Sequence, residues 1–179
     1  MPHRPIVYFM IGVPGSGKST LAKTLDGVTV SSDEIRKEYF GSADPSKCTG
    51  LLDKWVDQYP NVKNMSVNGF VFKIMKERTN NLLQKGCNVV YDATNTTVPH
   101  RKETVQELRD KATVIACYMD TPLDVCLQRN RVRERVVPDD VLYRMARYLK
   151  VPSKEEGFDE IRTYSLKAKT TNTTPCYTG

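Results

Sequence analysis

Apolar residues follow two rhythms along this chain. Short, nearly unbroken runs stand at residues 5–11, Val28–Ser31, Asn88–Tyr91 and Ala112–Met119, and their length and β-branched or aromatic content predict strands buried on both faces. Between them, apolar positions recur at three- and four-residue spacing, predicting helices at 18–25, 33–40, 65–85, 98–110, 122–133 and 138–149. The third helix has the fullest stripe, Val67, Phe70, Val71, Ile74, Met75, Leu82 and Leu83, and Gly86 supplies its stop. Strands alternating with helices predict an α/β fold of three layers: a parallel sheet of four to five strands with helices on both faces.

Residues 41–64 break the alternation. Gly, Ser, Pro, Asn and Lys surround a short Leu51–Val56 segment there, which marks an excursion from the sheet. Trp55, the single tryptophan, either packs in this excursion or stacks on a base, and packing is the commoner fate of an indole. From Lys167 onward a Thr- and Lys-rich tail with Pro175 is either an edge strand or disordered, so the folded domain is expected over residues 1–166.

Composition narrows the class without naming a chemistry. A chain of 179 residues with 39% hydrophobic and 27% charged positions suits one soluble domain with a real core. No apolar run approaches the roughly 18 residues that cross a bilayer, and no signal-like core precedes the first strand, so a cytoplasmic, intracellular protein without membrane contact is expected. Five widely spaced cysteines with no C-x-x-C pair argue against zinc or a disulfide framework. A net charge of +6 favours polyanionic over cationic partners. Nothing in the sequence sets an oligomeric state.

The sharpest local signal is Gly12-Val13-Pro14-Gly15-Ser16-Gly17-Lys18-Ser19-Thr20, which fits the phosphate-loop pattern G-x-x-x-x-G-K-[ST]. Glycines at 12, 15 and 17 let backbone N–H groups close around phosphate oxygens, Lys18 reaches the terminal phosphates, and the Ser19 hydroxyl suits Mg²⁺. The loop lies between a predicted strand and a predicted helix, the order that separates a real phosphate loop from a chance glycine turn. This points to a P-loop NTPase-like fold handling ATP or another nucleoside triphosphate with Mg²⁺.

Ligands of open parallel sheets lie beyond the carboxyl ends of the strands, where three aspartates fall. Asp33 follows the second strand in Asp33-Glu34-Ile35-Arg36, where it either caps a helix or accepts a proton from an attacking hydroxyl, with Arg36 one turn on and suited to an acceptor phosphate. Asp92 ends the third strand in Asp92-Ala93-Thr94-Asn95, as a partner of magnesium-bound water or as a turn residue. Asp120 precedes Thr121-Pro122 and has the look of a helix start. Four arginines at 129, 131, 133 and 135 form either a solvated surface helix or a helical lid over the triphosphate, spanning about 129–138, with Arg129 and Arg133 on one face.

Taken jointly, these spaced motifs resemble the P-loop polynucleotide 5′-hydroxyl kinases of the phage T4 and bacterial end-healing type. Gly12–Thr20, the Asp33/Arg36 pair, the Asp92-Thr94-Asn95 turn and the Arg129/Arg133 stretch before Pro138 carry the resemblance. It implies that Gly12, Pro14, Gly15, Ser16, Gly17, Lys18, Ser19, Thr20, Arg129 and Arg133 bind ATP, and that Ser19, with Asp92 behind it, serves Mg²⁺. It implies further that Lys18, Asp33 and Arg133 are catalytic, Asp33 as general base, and that Asp33, Arg36, Asp92 and Thr94 meet the acceptor. The substrate would be a 5′-hydroxyl end of DNA or RNA, in nucleic acid repair, and a phage-encoded enzyme in a bacterial host fits the same resemblance. Arg131 and Arg135 are extra to the pattern, and residues 41–64 have no counterpart in it. Related P-loop kinases act on other hydroxyls, including modified bases in phage DNA, nucleosides and other small molecules. A non-catalytic nucleotide-binding switch is the remaining alternative, against which an apparent base and lid arginines count.

Overall fold

The computed structural model describes residues 4–165; the tail from Lys167 lies outside the described residues. Five strands, β1 (Ile6–Ile11), β2 (Val28–Ser31), β3 (Val89–Asp92), β4 (Thr113–Asp120) and β5 (Glu160–Ser165), form one sheet in the order β2-β3-β1-β4-β5. Every pairing is parallel, with Val7 opposite Val89 and Val114, and Ile11 opposite Tyr118. The connections are α1 (Lys18–Ala22), α2 (Ser32–Phe40), α3 (Val67–Gln84), α4 (Val98–Leu108), α5 (Leu123–Arg131) and α6 (Asp139–Tyr148).

The continuous apolar reading of β1 follows from its central place, because both of its faces are covered. Val7, Phe9 and Ile11 join Tyr91, Val114 and Ala116 against α3 and α4, where Phe9 stacks on Tyr91 with ring centroids 5.1 Å apart. Tyr8 and Met10 point the other way, with Val90, Ile115 and Cys117, toward Ala22 of α1. A third cluster joins Val13 to Cys126 and Leu127 of α5 and Leu142 of α6.

Helix α3 matches its stripe. Phe70, Val71, Ile74, Met75 and Leu83 are buried, at roughly 1.5–3 kcal/mol each, a sum comparable with the net stability of a whole domain. Ser66 accepts from the Gly69 N–H at 3.0 Å to start the helix. Gly86, at φ 77°, ends it in a Schellman turn, with Cys87 N–H on Leu82 O and Gly86 N–H on Leu83 O.

Three elements differ from the sequence expectation. Helix α1 is five residues long rather than reaching residue 25. Residues 41–64 hold three short 3₁₀ turns, Pro45–Lys47, Leu52–Trp55 and Pro60–Asn64, punctuated by Gly41 and Gly50 at positive φ. The excursion packs on the core: Trp55 lies 4.7 Å from the Tyr39 ring, and Tyr39 and Tyr59 both meet Phe70. The fifth strand, β5, has no apolar run to mark it. It joins β4 through Asp159, which donates its N–H to Val114 O and accepts from Val114 N–H at 2.7 Å.

Candidate active site around the glycine loop

Residues Gly12–Gly17 cross from the end of β1 to α1, at the point where the connections leave to opposite sides of the sheet. Two glycines are obligatory by contact. A Cβ on Gly15 would stand 2.4 Å from the Cys126 carbonyl oxygen, at φ +80°, and one on Gly12 would meet Ser16 Oγ at 2.6 Å and Met119 Cβ at 2.9 Å. The loop is braced from three sides: Gly12 N–H donates to Thr94 O at 3.0 Å, Ser16 N–H to Val13 O, and Thr121 Oγ1 to Ser16 O at 2.8 Å. Ser16 Oγ is buried without a partner. With α1 so short, the anion-binding capacity rests on the loop's own N–H groups and on Lys18 more than on a helix dipole.

Lys18 Nζ donates to the Val13 carbonyl at 3.0 Å. Burial lowers its ammonium to about 8; Asp92 and Asp33 pull the other way, and Arg133 adds to the lowering. Asp92, at the end of β3, is raised by its own burial, a change that Lys18 and Arg133 oppose and Asp33 reinforces. Lys18, Asp33, Asp92 and Arg133 therefore share one electrostatic site.

Asp33 lies in the first turn of α2, while Ser31 occupies the N-cap position and no side chain caps the helix. Its Oδ1 accepts from two guanidiniums, Arg36 Nη1 and Arg135 Nη1, each at 2.9 Å. Arg36 is only 5% exposed. It also donates to Ala43 O at 3.3 Å and to Asn68 Oδ1 at 3.0 Å, which ties α2 to the excursion and to α3.

The turn after β3 holds Asp92 and the half-buried Thr94 beside the loop. Asn95 takes φ 47°, and its Nδ2 donates to Met10 O at 2.7 Å, joining the turn to β1. Beneath it lies a pair with no local signal in the chain. Arg101, fully buried, donates Nε to Glu156 Oε2 at 2.6 Å and Nη2 to Oε1 at 2.8 Å, while Nη1 reaches Asn95 O and Thr96 O. One ion pair thus fixes the back of the Asp92–Thr96 turn.

The expectation of a helical stretch through 129–138 needs correction. Helix α5 stops at Arg131, because the Asn130 amide donates to Val137 O at 2.6 Å and accepts from Val137 N–H at 3.0 Å, folding residues 131–137 into a closed loop. Arg129 is exposed on the helix and does not share a helical face with Arg133, which lies half-buried in the loop. Arg131 pairs with Asp139 at 3.2 Å. Asp120 ends β4 exposed and meets Ser165. Pro14, Gly17, Ser19 and Thr20 complete the glycine loop and the first turn of α1.

Comparison with known proteins agrees with this geometry. Residues 7–152 match the AAA domain family. A chain of the Pnkp1/Rnl/Hen1 RNA repair complex superposes with a TM-score of 0.61 at 21% identity over 89% of this chain and 48% of its own. A protein of the PezAT chromosomal toxin–antitoxin system of Streptococcus pneumoniae gives 0.62 at 19% identity over 90% and 69%. A gluconokinase from Sinorhizobium meliloti gives 0.52 at 16% over 92% and 84%. The chain spans about half the length of the RNA repair protein it matches. No curated protein sequence gives a significant match. The fold is shared with these proteins, the gluconokinase among them. No helix among the described residues is long and apolar enough to cross a membrane.

Proposed function

The chain belongs to the AAA domain family, and from that premise we propose that it is an ATP- and Mg²⁺-dependent phosphotransferase that moves the γ-phosphoryl group to a 5′-hydroxyl end of DNA or RNA. The observation that carries this is Asp33, a carboxylate held between two arginines in the same electrostatic site as Lys18. A nucleotide switch needs no such group, whereas transfer to a hydroxyl needs a proton acceptor on the acceptor side.

In this reading the glycine-loop N–H groups and Lys18 hold the β- and γ-phosphates of ATP. The acceptor oxygen forms a bond to γ-phosphorus as the bridge to the β-phosphate breaks, its proton passes to Asp33, and ADP leaves. Lys18 and Arg133, whose charges bear on one another, would stabilise the charge that develops on the transferring group. The Ser19 hydroxyl and the Asp92 carboxylate are hard oxygen donors of the kind Mg²⁺ takes, Asp92 through water, and the ion would neutralise phosphate charge there. The 131–137 loop that carries Arg133 would act as the lid, in loop rather than helical form, with Arg129 at its root.

The net charge of +6 favours a polyanionic acceptor. The likeness to a gluconokinase keeps a small-molecule hydroxyl as the second reading. Incubation with γ-labelled ATP, Mg²⁺ and oligonucleotides bearing either a 5′-hydroxyl or a 5′-phosphate decides between them. Label on 5′-hydroxyl strands alone supports end phosphorylation, label on both moves the acceptor to an internal hydroxyl, and label on neither removes the nucleic acid reading.

A further inference from the structure

The 131–137 loop sends alternate arginines to two different places. Arg133 bears electrostatically on Lys18 and Asp92. Arg135 points across to α2, reaching Asp33 Oδ1 at 2.9 Å, and its charge is felt at Arg36, Asp44 and Cys48, on the side of the 41–64 excursion. Asp33 Oδ1 thus accepts two guanidinium N–H groups at once, which leaves Oδ2 as the oxygen that faces an incoming hydroxyl's proton.

The two arginines are not held alike. Arg36 has a side chain 6% exposed and is fixed by Ala43 O and Asn68 Oδ1 as well as by Asp33. Arg135 has a side chain 30% exposed, with Asp33 as its hydrogen-bond partner. Its loop is pinned at both ends by Asn130 and Val137, yet Val132 and Val136 between them are 86% and 52% exposed, so little packing holds the middle. Arg36 is thus the more firmly held of the two.

We propose that Arg135 determines acceptor specificity, resting on Asp33 in the empty protein and moving to a phosphate borne by the acceptor next to its reacting hydroxyl. A planar guanidinium takes a phosphate through two parallel N–H bonds, a stronger and more specific contact than a shared carboxylate oxygen. An acceptor with such a phosphate draws Arg135 across and is held by it, whereas one without it leaves Arg135 on Asp33 and gains no such contact. Arg36 then serves as a positioning residue that keeps the carboxylate aimed. The proposal rests on the assignment of Asp33 to the acceptor side.

The test compares two acceptors, the dinucleotide d(ApA) with a free 5′-hydroxyl and deoxyadenosine, in the wild type, Arg135→Ala and Arg135→Lys. The quantity read is the ratio of kcat/KM for the two. Arg135→Ala should compress the wild-type preference for the dinucleotide at least about tenfold, and Arg135→Lys, which keeps the charge but not the fork, should compress it less. A ratio unchanged in Arg135→Ala overturns the proposal. Equilibrium binding of deoxyadenosine 3′-monophosphate to protein loaded with a non-hydrolysable ATP analogue provides a readout independent of transfer. At least about tenfold weaker binding in Arg135→Ala supports the proposal, and equal binding overturns it. If the wild type phosphorylates neither acceptor, the 5′-hydroxyl reading falls while the binding comparison still decides the role of Arg135.

Discussion

Replacing Glu156 by alanine isolates the most buried charge in the described structure. Arg101 is 0% and Glu156 5% exposed, and two bonds of 2.6 and 2.8 Å join them. Removing the carboxylate leaves a guanidinium with Nε and Nη2 unmatched where water does not reach, at a cost of about 3–5 kcal/mol. A second loss is local, since Glu156 Oε1 also accepts from Ser153 N–H at 3.0 Å in the turn before β5. For a domain of this size the sum corresponds to a fall in Tm of about 6–20 °C. Urea unfolding of Glu156→Ala should move the midpoint with an unchanged slope. The double variant Arg101→Met with Glu156→Leu, which removes both charges and fills the space, should recover most of the loss. A single variant within about 1 kcal/mol of the wild type, or a double variant no better than the single, refutes the reasoning.

Three further outcomes follow from the site. Lys18, lowered by burial to about 8, binds triphosphate as the ammonium, so ATP affinity should fall as pH rises through about 8, approaching tenfold per pH unit; a flat binding profile between about pH 7 and 9.5 contradicts this. The sign for stability is the reverse: the unfolded chain keeps the lysine proton to higher pH, so the empty protein should gain stability as pH climbs from about 8 toward 10.5 in denaturant titrations. Gly15→Ala drives a Cβ to 2.4 Å from the Cys126 carbonyl at φ +80°; it should abolish ATP binding and lower stability by about 1–3 kcal/mol, and normal binding by calorimetry counts against the loop geometry. Asp33→Asn should cut turnover by about 10²–10⁴ with ATP affinity nearly intact, and near wild-type turnover in steady-state assays removes Asp33 as base.

What the sequence revealed tracks how locally each feature is encoded. Strands β1, β3 and β4 announce themselves because each is buried on both faces or nearly so, β2 is an edge strand with only Val30 buried and shows through its β-branched residues instead, and the stripe of α3 is long enough for its period to show. β5 does not: Glu160-Ile161-Arg162-Thr163-Tyr164-Ser165 is an edge strand with polar side chains on it, and its place depends on Asp159 and β4 rather than on its own pattern. The glycine loop is legible because its chemistry demands particular residues at fixed spacing. The end of α5 is not, because it is set by a side-chain contact seven residues long, from Asn130 to Val137. Arg101 looks like any helical arginine until Glu156, 55 residues on, is placed beside it. Arg135 is likewise one cation in a basic run until the fold brings Asp33, 102 residues earlier, within reach.

The buried pair also imposes an order on synthesis. At roughly 5–20 residues per second, Glu156 emerges about 3–11 s after Arg101. Until then α4 carries a cation that has no counter-charge to be buried with, and β4 has no β5 along its outer edge. The phosphate loop, made before both, therefore stands on an unfinished floor until Glu156 and β5 arrive. A ribosome that stalls before residue 156 would release a chain with its ATP-binding motif complete in sequence but unsupported in space, exposed to proteases rather than competent to bind nucleotide.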